Sequence, residues 1–157
     1  MTALNDVLRI NVADRHYKEF EITNAKTSEL VDVNIDPIKG KLFNQDIFKL
    51  NISGNIEIVH SSLRSMPSIP AILVVEGNRI YGKSKNNRPL YRCIPDDRRM
   101  PEFLVPYTVK MGFKKRLYNK YVVFEFNNWN TKHPEGRLVN VLGDVSVLDN
   151  FYEYQLY

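Results

Sequence analysis

Twelve lysines and arginines stand between Arg79 and Lys120, against the three acids Asp96, Asp97 and Glu102. The residues before this block hold eight bases and ten acids, and those after it two and five. A formal net charge of +4 therefore conceals a strongly positive block between two acidic segments. Segregation of this kind focuses a positive potential on one part of a surface and suits a polyanionic partner. Flat side chains interleave with the cations, namely Tyr81, Tyr91, Phe103, Tyr107, Phe113 and Tyr118, and rings so placed offer stacking platforms to unpaired bases. The same residues also allow another reading, a solvated basic face above ordinary core aromatics.

Two clusters within the block stand out. Lys83-Ser84-Lys85-Asn86-Asn87-Arg88 lies between Ile80-Tyr81 and Leu90-Tyr91, where its turn formers predict a hairpin loop that holds three cations in water within reach of phosphates. Lys114-Lys115-Arg116 follows Phe113 and precedes Leu117. Trp129 sits among asparagines at the end of an apolar run, as a core anchor or as a stacking surface. The candidate phosphate contacts are thus Arg79, Lys83, Lys85, Arg88, Lys114, Lys115 and Arg116, and the candidate stacking rings Tyr81, Tyr91, Phe113 and Trp129.

No catalytic set accompanies them. Asp96-Asp97 is flanked by Arg98-Arg99, so internal charge pairing is expected in place of a metal site, and phosphodiester hydrolysis on Mg²⁺ needs several converging carboxylates. His133 precedes Pro134 with no serine or cysteine nucleophile motif nearby. Gly77 and Gly82 form no phosphate-cradling loop. Three histidines and the single cysteine, Cys93, lack zinc-ligand spacing. That single cysteine also excludes an internal disulfide and fits a reducing, intracellular compartment. Neither a catalytic residue nor a cofactor or metal is expected.

The elements that must position these residues read mostly as strands. Phe20 and Ile22 alternate with glutamates, and Val31, Val33 and Ile35 alternate with polar residues up to Pro37, the period of a half-buried strand. Ile47–Leu50 follows the turn-like Asn44-Gln45-Asp46, and Ile56 and Ile58 follow Gly54-Asn55. Ile72–Val75 and Tyr121–Phe126 are apolar runs of buried-strand length. Val139, Val141, Val145 and Val147 keep one face across Gly143, where a bulge or bend is expected. Helix is confined to a turn within Pro106–Leu117 and another at Leu148–Tyr154. Short strands separated by turn signals predict an all-β protein of small barrels. Four serines and two prolines within His60–Pro70 mark a linker, which divides the chain into a first barrel over 1–60, a linker over 61–70 and a second barrel over 71–157.

With 43% apolar and 25% charged residues, the chain has the composition of a globular protein. No apolar run approaches the roughly 18 residues of a membrane span, and Met1–Arg15 lacks a secretory core. Asparagine, isoleucine, lysine and tyrosine are abundant while glycine and alanine are scarce, the composition of an AT-rich genome such as that of a large DNA virus or a protist.

Three segments resemble the cold-shock region of the ribonuclease II/R family, especially its exosome-associated exoribonuclease branch. Pro95-Asp96-Asp97-Arg98-Arg99-Met100-Pro101 is similar to the P-x-D-x-R-x-P run that leads into that family's second cold-shock barrel. Trp129, His133-Pro134-Glu135-Gly136 and Val139–Asp144 resemble the W-x-x-x-(Y/H)-P-x-G-x-x-V-x-x-L-G segment near that barrel's end. Gly40–Leu50 resembles the N-R-A-x-x-G-D-x-V-x-V-x-L strand of the first barrel and departs from it at Lys41, Leu42 and Gln45. The likeness is clearest over about residues 70–150 and fainter over 7–60.

The resemblance implies two OB-type cold-shock domains in tandem that bind single-stranded RNA, or DNA. The family's Mg²⁺-holding acidic cluster would begin beyond Tyr157, and the aromatic RNP motifs of free-standing cold-shock proteins are absent. The expected protein is therefore a non-enzymatic nucleic-acid-binding module with no membrane segment, and it reads somewhat better as a stand-alone relative than as the front of a nuclease. The alternatives are an assembly protein, viral among the options, that uses its barrels for contacts with other protein subunits, and the N-terminal part of a larger exoribonuclease.

Overall fold

The computed structural model describes residues 6–109 and 117–157. It is almost wholly β and folds as two compact units, one comprising the chain up to Ser65 with Asp97–Pro101, the other Met66–Asp96 with Glu102 onward. Among the described residues no helix is long and apolar enough to cross a membrane.

The first unit is a four-stranded antiparallel sheet of β1 (Leu8–Val12), β2 (Phe20–Asn24), β3 (Ile47–Leu50) and β4 (Ile56–His60), in the order β2-β1-β3-β4. Strict alternation puts Leu8, Ile10 and Val12 inside, where they meet Ile22, Leu42, Phe48 and the ring of Tyr17. Residues 31–36 keep the expected alternation, and Val31, Val33 and Ile35 pack on this core. They nonetheless form no strand. Only a bridge from Thr23 to Leu30 and the bond from the Val31 amide to the Ile22 carbonyl (2.9 Å) tie the segment to β2. Period-two burial needs only an extended chain over a core, whereas a ladder needs a neighbour for every second amide.

Asp46 organises the turn before β3. Wholly buried, its carboxylate accepts the Phe43 amide at 2.8 Å and the Ser61 hydroxyl at 2.5 Å, while its backbone carbonyl accepts the Ile10 amide. Arg64 lies beside it, with its guanidinium 5.1 Å from the centre of the Phe43 ring and a bond to the Lys41 carbonyl of 2.6 Å. The Tyr17 hydroxyl donates to the Leu42 carbonyl at 2.6 Å, which fixes the same turn from its other side.

The second unit is a closed five-stranded barrel of β5 (Ile69–Val74), β6 (Leu90–Pro95), β7 (Phe103–Pro106), β8 (Lys120–Asn128) and β9 (Glu135–Asp144), in the order β5-β6-β7-β9-β8. Every pairing is antiparallel except β7 with β9, which meet at Leu104 and Glu135. This is the small Greek-key barrel expected of an OB fold. Phe103, Val105, Cys93, Leu73 and Phe124 fill the interior, with Phe103 and Phe124 edge to face at 4.8 Å. Strand order matches the two units element by element: β1, β2, β3 and β4 correspond to β5, β6, β8 and β9. The extended segment 30–35 stands where the second unit has β7.

Gly143 is the expected bend. Its φ of 131° lies outside the range of most side chains, and an added Cβ would meet the Asn150 amide at 2.3 Å. Asn150 belongs to the short α-helix α1 (Leu148–Tyr154) and donates to the Asp144 carbonyl at 3.0 Å, so the bend seats α1 on the barrel. The turn of helix expected within Pro106–Leu117 falls largely on 110–116, outside the described residues.

Two substitutions test this account. Burial pushes the Asp46 carboxyl up, against the bonds from Ser61 and Phe43. A raised folded-state pKa gives stability that is complete below the ordinary carboxylate value and is lost as pH rises through the raised one. Asp46→Ala orphans two donors and should cost about 1–3 kcal/mol. Thermal melts should show a larger deficit at about pH 4 than at pH 7, and a deficit that shrinks on acidification would refute the assignment. At Gly136 an added Cβ would lie 2.5 Å from the Phe124 ring and 3.1 Å from the Glu125 carbonyl. Gly136→Ala should therefore cost about 1–3 kcal/mol by overpacking, measurable as a lowered denaturation midpoint.

Candidate nucleic-acid interface

The connection from β5 to β6 carries the first group of candidate contacts. Asn119 roots it, its side-chain oxygen accepting the amides of Val75 and Glu76 at 3.0 and 3.1 Å. From Tyr81 the chain returns on itself: the Tyr81 amide bonds the Leu90 carbonyl at 2.8 Å, and the Leu90 amide bonds the Gly82 carbonyl at 3.0 Å. A bridge joins Lys83 to Pro89. At the tip, the Ser84 amide bonds the Arg88 carbonyl and the Asn87 amide the Ser84 carbonyl, both at 2.9 Å. Asn87 takes φ 62°, the left-handed conformation that closes a three-residue hairpin loop and that asparagine tolerates. The expected hairpin is thus formed, and it holds Lys83, Lys85 and Arg88 in solvent. None of the three makes an ion pair with another described residue.

Below the tip, the Arg79 guanidinium sits 5.0 Å from the centre of the Tyr81 ring, a cation–π arrangement. Arg79 is exposed and Tyr81 half-buried, so a ring and a cation face outward together. Tyr91 is interior instead: it is buried, its hydroxyl donates to the Asn78 side chain at 2.6 Å, and its ring meets Tyr107 edge-on at 6.1 Å. Burial, with Tyr107 beside it, pushes the Tyr91 hydroxyl up. Trp129 is likewise a core anchor, 4% exposed, its indole N–H directed at the Lys132 carbonyl at 3.4 Å. Neither ring has a free face for a base. Phe113, Lys114, Lys115 and Arg116 lie outside the described residues.

The outer face of β6 and β7 carries charge where a stacking platform would need rings. The strands pair Tyr91 with Val105, Cys93 with Phe103 and Arg92 with Leu104. The first two pairs are buried and send the aromatic side chains inward, while Arg92 turns outward. It meets Glu102 in a two-pronged bond, Nε to Oε2 at 3.1 Å and Nη2 to Oε1 at 2.6 Å. Glu102 holds the guanidinium pKa above its ordinary value against partial burial, and Tyr81 adds to the effect. Arg79, Tyr81, Arg92 and Glu102 thus form one cluster at the foot of the hairpin.

At the other end of this face, the chain between β8 and β9 exposes Asn130, Thr131, Lys132 and His133. The residues around them are structural. Trp129 and Pro134 are buried, the Pro134 carbonyl accepts the Leu104 amide at 2.9 Å, and Gly136 presses on Phe124. The tryptophan-to-glycine signature in the sequence is therefore a packing motif that presents a loop. Sequence reasoning missed Lys132 and Arg92 because neither lies in a charge run. The available signal was topological: in OB folds the second and third strands, with the first and fourth connecting loops, form the ligand face. The acidic doublet is structural too. Asp97 takes the Arg99 guanidinium at 3.1 Å on each oxygen. Burial alone would raise the Asp97 carboxyl, but the bonds from Arg99 outweigh it and lower the pKa. Among the described residues no three of His, Cys, Asp and Glu gather to hold a metal ion.

Comparison with known families agrees with this geometry. Residues 90–153 match the family model of the Dis3-like cold-shock domain 2 (CSD2), an OB fold. The match runs from the first residue of β6 into α1, and the β5–β6 hairpin precedes it. No curated protein matches the chain. From β6 through β9 and into α1, the barrel is thus similar to a Dis3-like cold-shock domain 2, an OB fold of the kind that binds single-stranded nucleic acid.

Proposed function

We propose that this protein is a non-catalytic module that holds single-stranded nucleic acid, RNA before DNA, chiefly by its phosphate backbone. One observation carries the reading: the β5–β6 hairpin projects Lys83, Lys85 and Arg88 into solvent at one end of the ligand face of an OB fold. The Arg79–Tyr81 pair at its foot supplies one stacking surface, and Lys132 stands at the far end. Tyr91, Phe103 and Trp129 point into the core, and the β6–β7 face offers no row of rings. Stacking and base readout are therefore minor, and counterion release dominates affinity.

The strand is expected to cross the β6–β7 face between the two loops, its backbone toward the cations. Such a site holds a chain without cutting it. Among the described residues no group of carboxylates gathers that could place Mg²⁺ at a phosphodiester. The work left to the barrel is to bind and align.

Binding of a labelled, unstructured oligoribonucleotide, followed by fluorescence anisotropy across a salt series, tests this reading. With three or four phosphates engaged, affinity should fall by about tenfold or more between 50 and 200 mM salt. Replacing Lys83 and Lys85 together by alanine should weaken all sequences alike and flatten the salt slope by about 1.4. Binding that ignores salt, or a double variant that binds like the parent, would rule out the assignment. The oligonucleotide should also stay intact when incubated with Mg²⁺.

A further inference from the structure

Arg92 has the best-organised phosphate-binding group on the β6–β7 face, and a carboxylate already fills it. A guanidinium fork binds carboxylate and phosphate in the same geometry, two parallel N–H···O bonds to two oxygens of one anion. Glu102 makes those two bonds at 3.1 and 2.6 Å, from the position just before β7 and diagonal to Arg92 across the strand pair. About a third of the Arg92 side chain and rather less of Glu102 remain exposed. An anion arriving from solvent can therefore reach the fork, and the carboxylate can swing out into water. Arg92 also lies beside Tyr81, whose ring carries Arg79, so the fork belongs to the cluster at the foot of the hairpin.

Building on the function proposed above, we propose that Glu102 is an internal competitor for the nucleic-acid backbone. Its carboxylate occupies the Arg92 fork in the free protein, and binding exchanges a phosphate for it. The exchange keeps the number of charge-assisted bonds at Arg92 constant and leaves Glu102 hydrated. Solvent-accessible ion pairs of this kind are weak, so the carboxylate attenuates affinity without blocking the site. The free protein thereby keeps its central cation neutralised, and an anion that does not also engage Lys83, Lys85 and Arg88 gains little from displacing Glu102.

A double-mutant cycle on the full chain tests this, with labelled oligouridylate as the probe over the same salt series. Glu102→Gln is nearly isosteric and should tighten binding by about two- to fivefold. The salt slope should change by less than about 0.7, the contribution of one phosphate on a single strand, because a phosphate fills the fork in both proteins. Arg92→Ala should change affinity little in the parent and should abolish the whole gain in the Glu102→Gln background. Far-UV circular dichroism confirms that each variant is folded, and Glu102→Ala repeats the measurement should the amide find a new partner. Unchanged or weaker binding by both Glu102 variants would overturn the inference, as would a gain that survives the loss of Arg92. If that happens while the Lys83/Lys85 double variant still loses affinity, the binding function stands and only the competition falls. If no form of the protein binds the probe, both fall.

Discussion

The parallel contact between β7 and β9 is the constraint on which the second barrel depends. It consists of a single register pair, Leu104 with Glu135, and the bond from the Leu104 amide to the Pro134 carbonyl. Parallel strands cannot be joined by a tight turn, so the chain must run out through β8 before β9 can return beside β7. It works because the chain approaches closely at Gly136, where a side chain would strike Phe124, and because Trp129 and Pro134 are buried just before it. Closure turns β6 and β7 into a continuous outer face, with the β5–β6 hairpin at one end and the β8–β9 loop at the other. The polar side chains of both loops are then presented by a rigid frame.

Charge on that frame is graded by how it is held. At the hairpin tip Lys83, Lys85 and Arg88 stand in water, where each can neutralise a phosphate at small cost in desolvation. At its foot Arg79 is oriented by the Tyr81 ring. In the middle of the face Arg92 is tied by two bonds. Elsewhere Lys120 pairs with Asp144, and Arg99 with Asp97. The positive block of the sequence thus separates into cations that serve packing and cations that remain for a ligand, and only the second kind contributes to a field a polyanion would feel.

Much of this was legible in the sequence because it depends on local chemistry. Asn86-Asn87 between basic residues gave the hairpin, since asparagine takes the left-handed conformation its loop needs. Gly143 gave the bend for a similar reason. The losses came where the outcome depends on partners remote in sequence. Tyr91 looked like an exposed ring beside a basic loop, but the register with Val105 turns it inward and Asn78 satisfies its hydroxyl. Trp129 has polar neighbours in sequence and is nonetheless buried. The alternation over 31–36 correctly reported which side chains face a core, yet alternation carries no information about whether the backbone on either side finds a ladder.

That last case separates the two units. Without a true third strand the first sheet stays open, and β4 becomes an edge whose residues after Ile56 are all exposed. An open edge invites pairing with another chain unless it is blunted. Here it is blunted by a bulge: Ile47 pairs with His60 and Phe48 with Ile58, which leaves Val59 as the extra residue. A bulge twists the strand and breaks its row of hydrogen-bonding groups. The first unit therefore preserves the strand order of the second without its closure, and puts its most buried polar group, Asp46, to work holding a turn. A ligand face built from the second and third strands requires that the third strand exist. Among the described residues that requirement is met in the second unit and not in the first, and the second unit is also where Lys83, Lys85 and Arg88 stand in solvent.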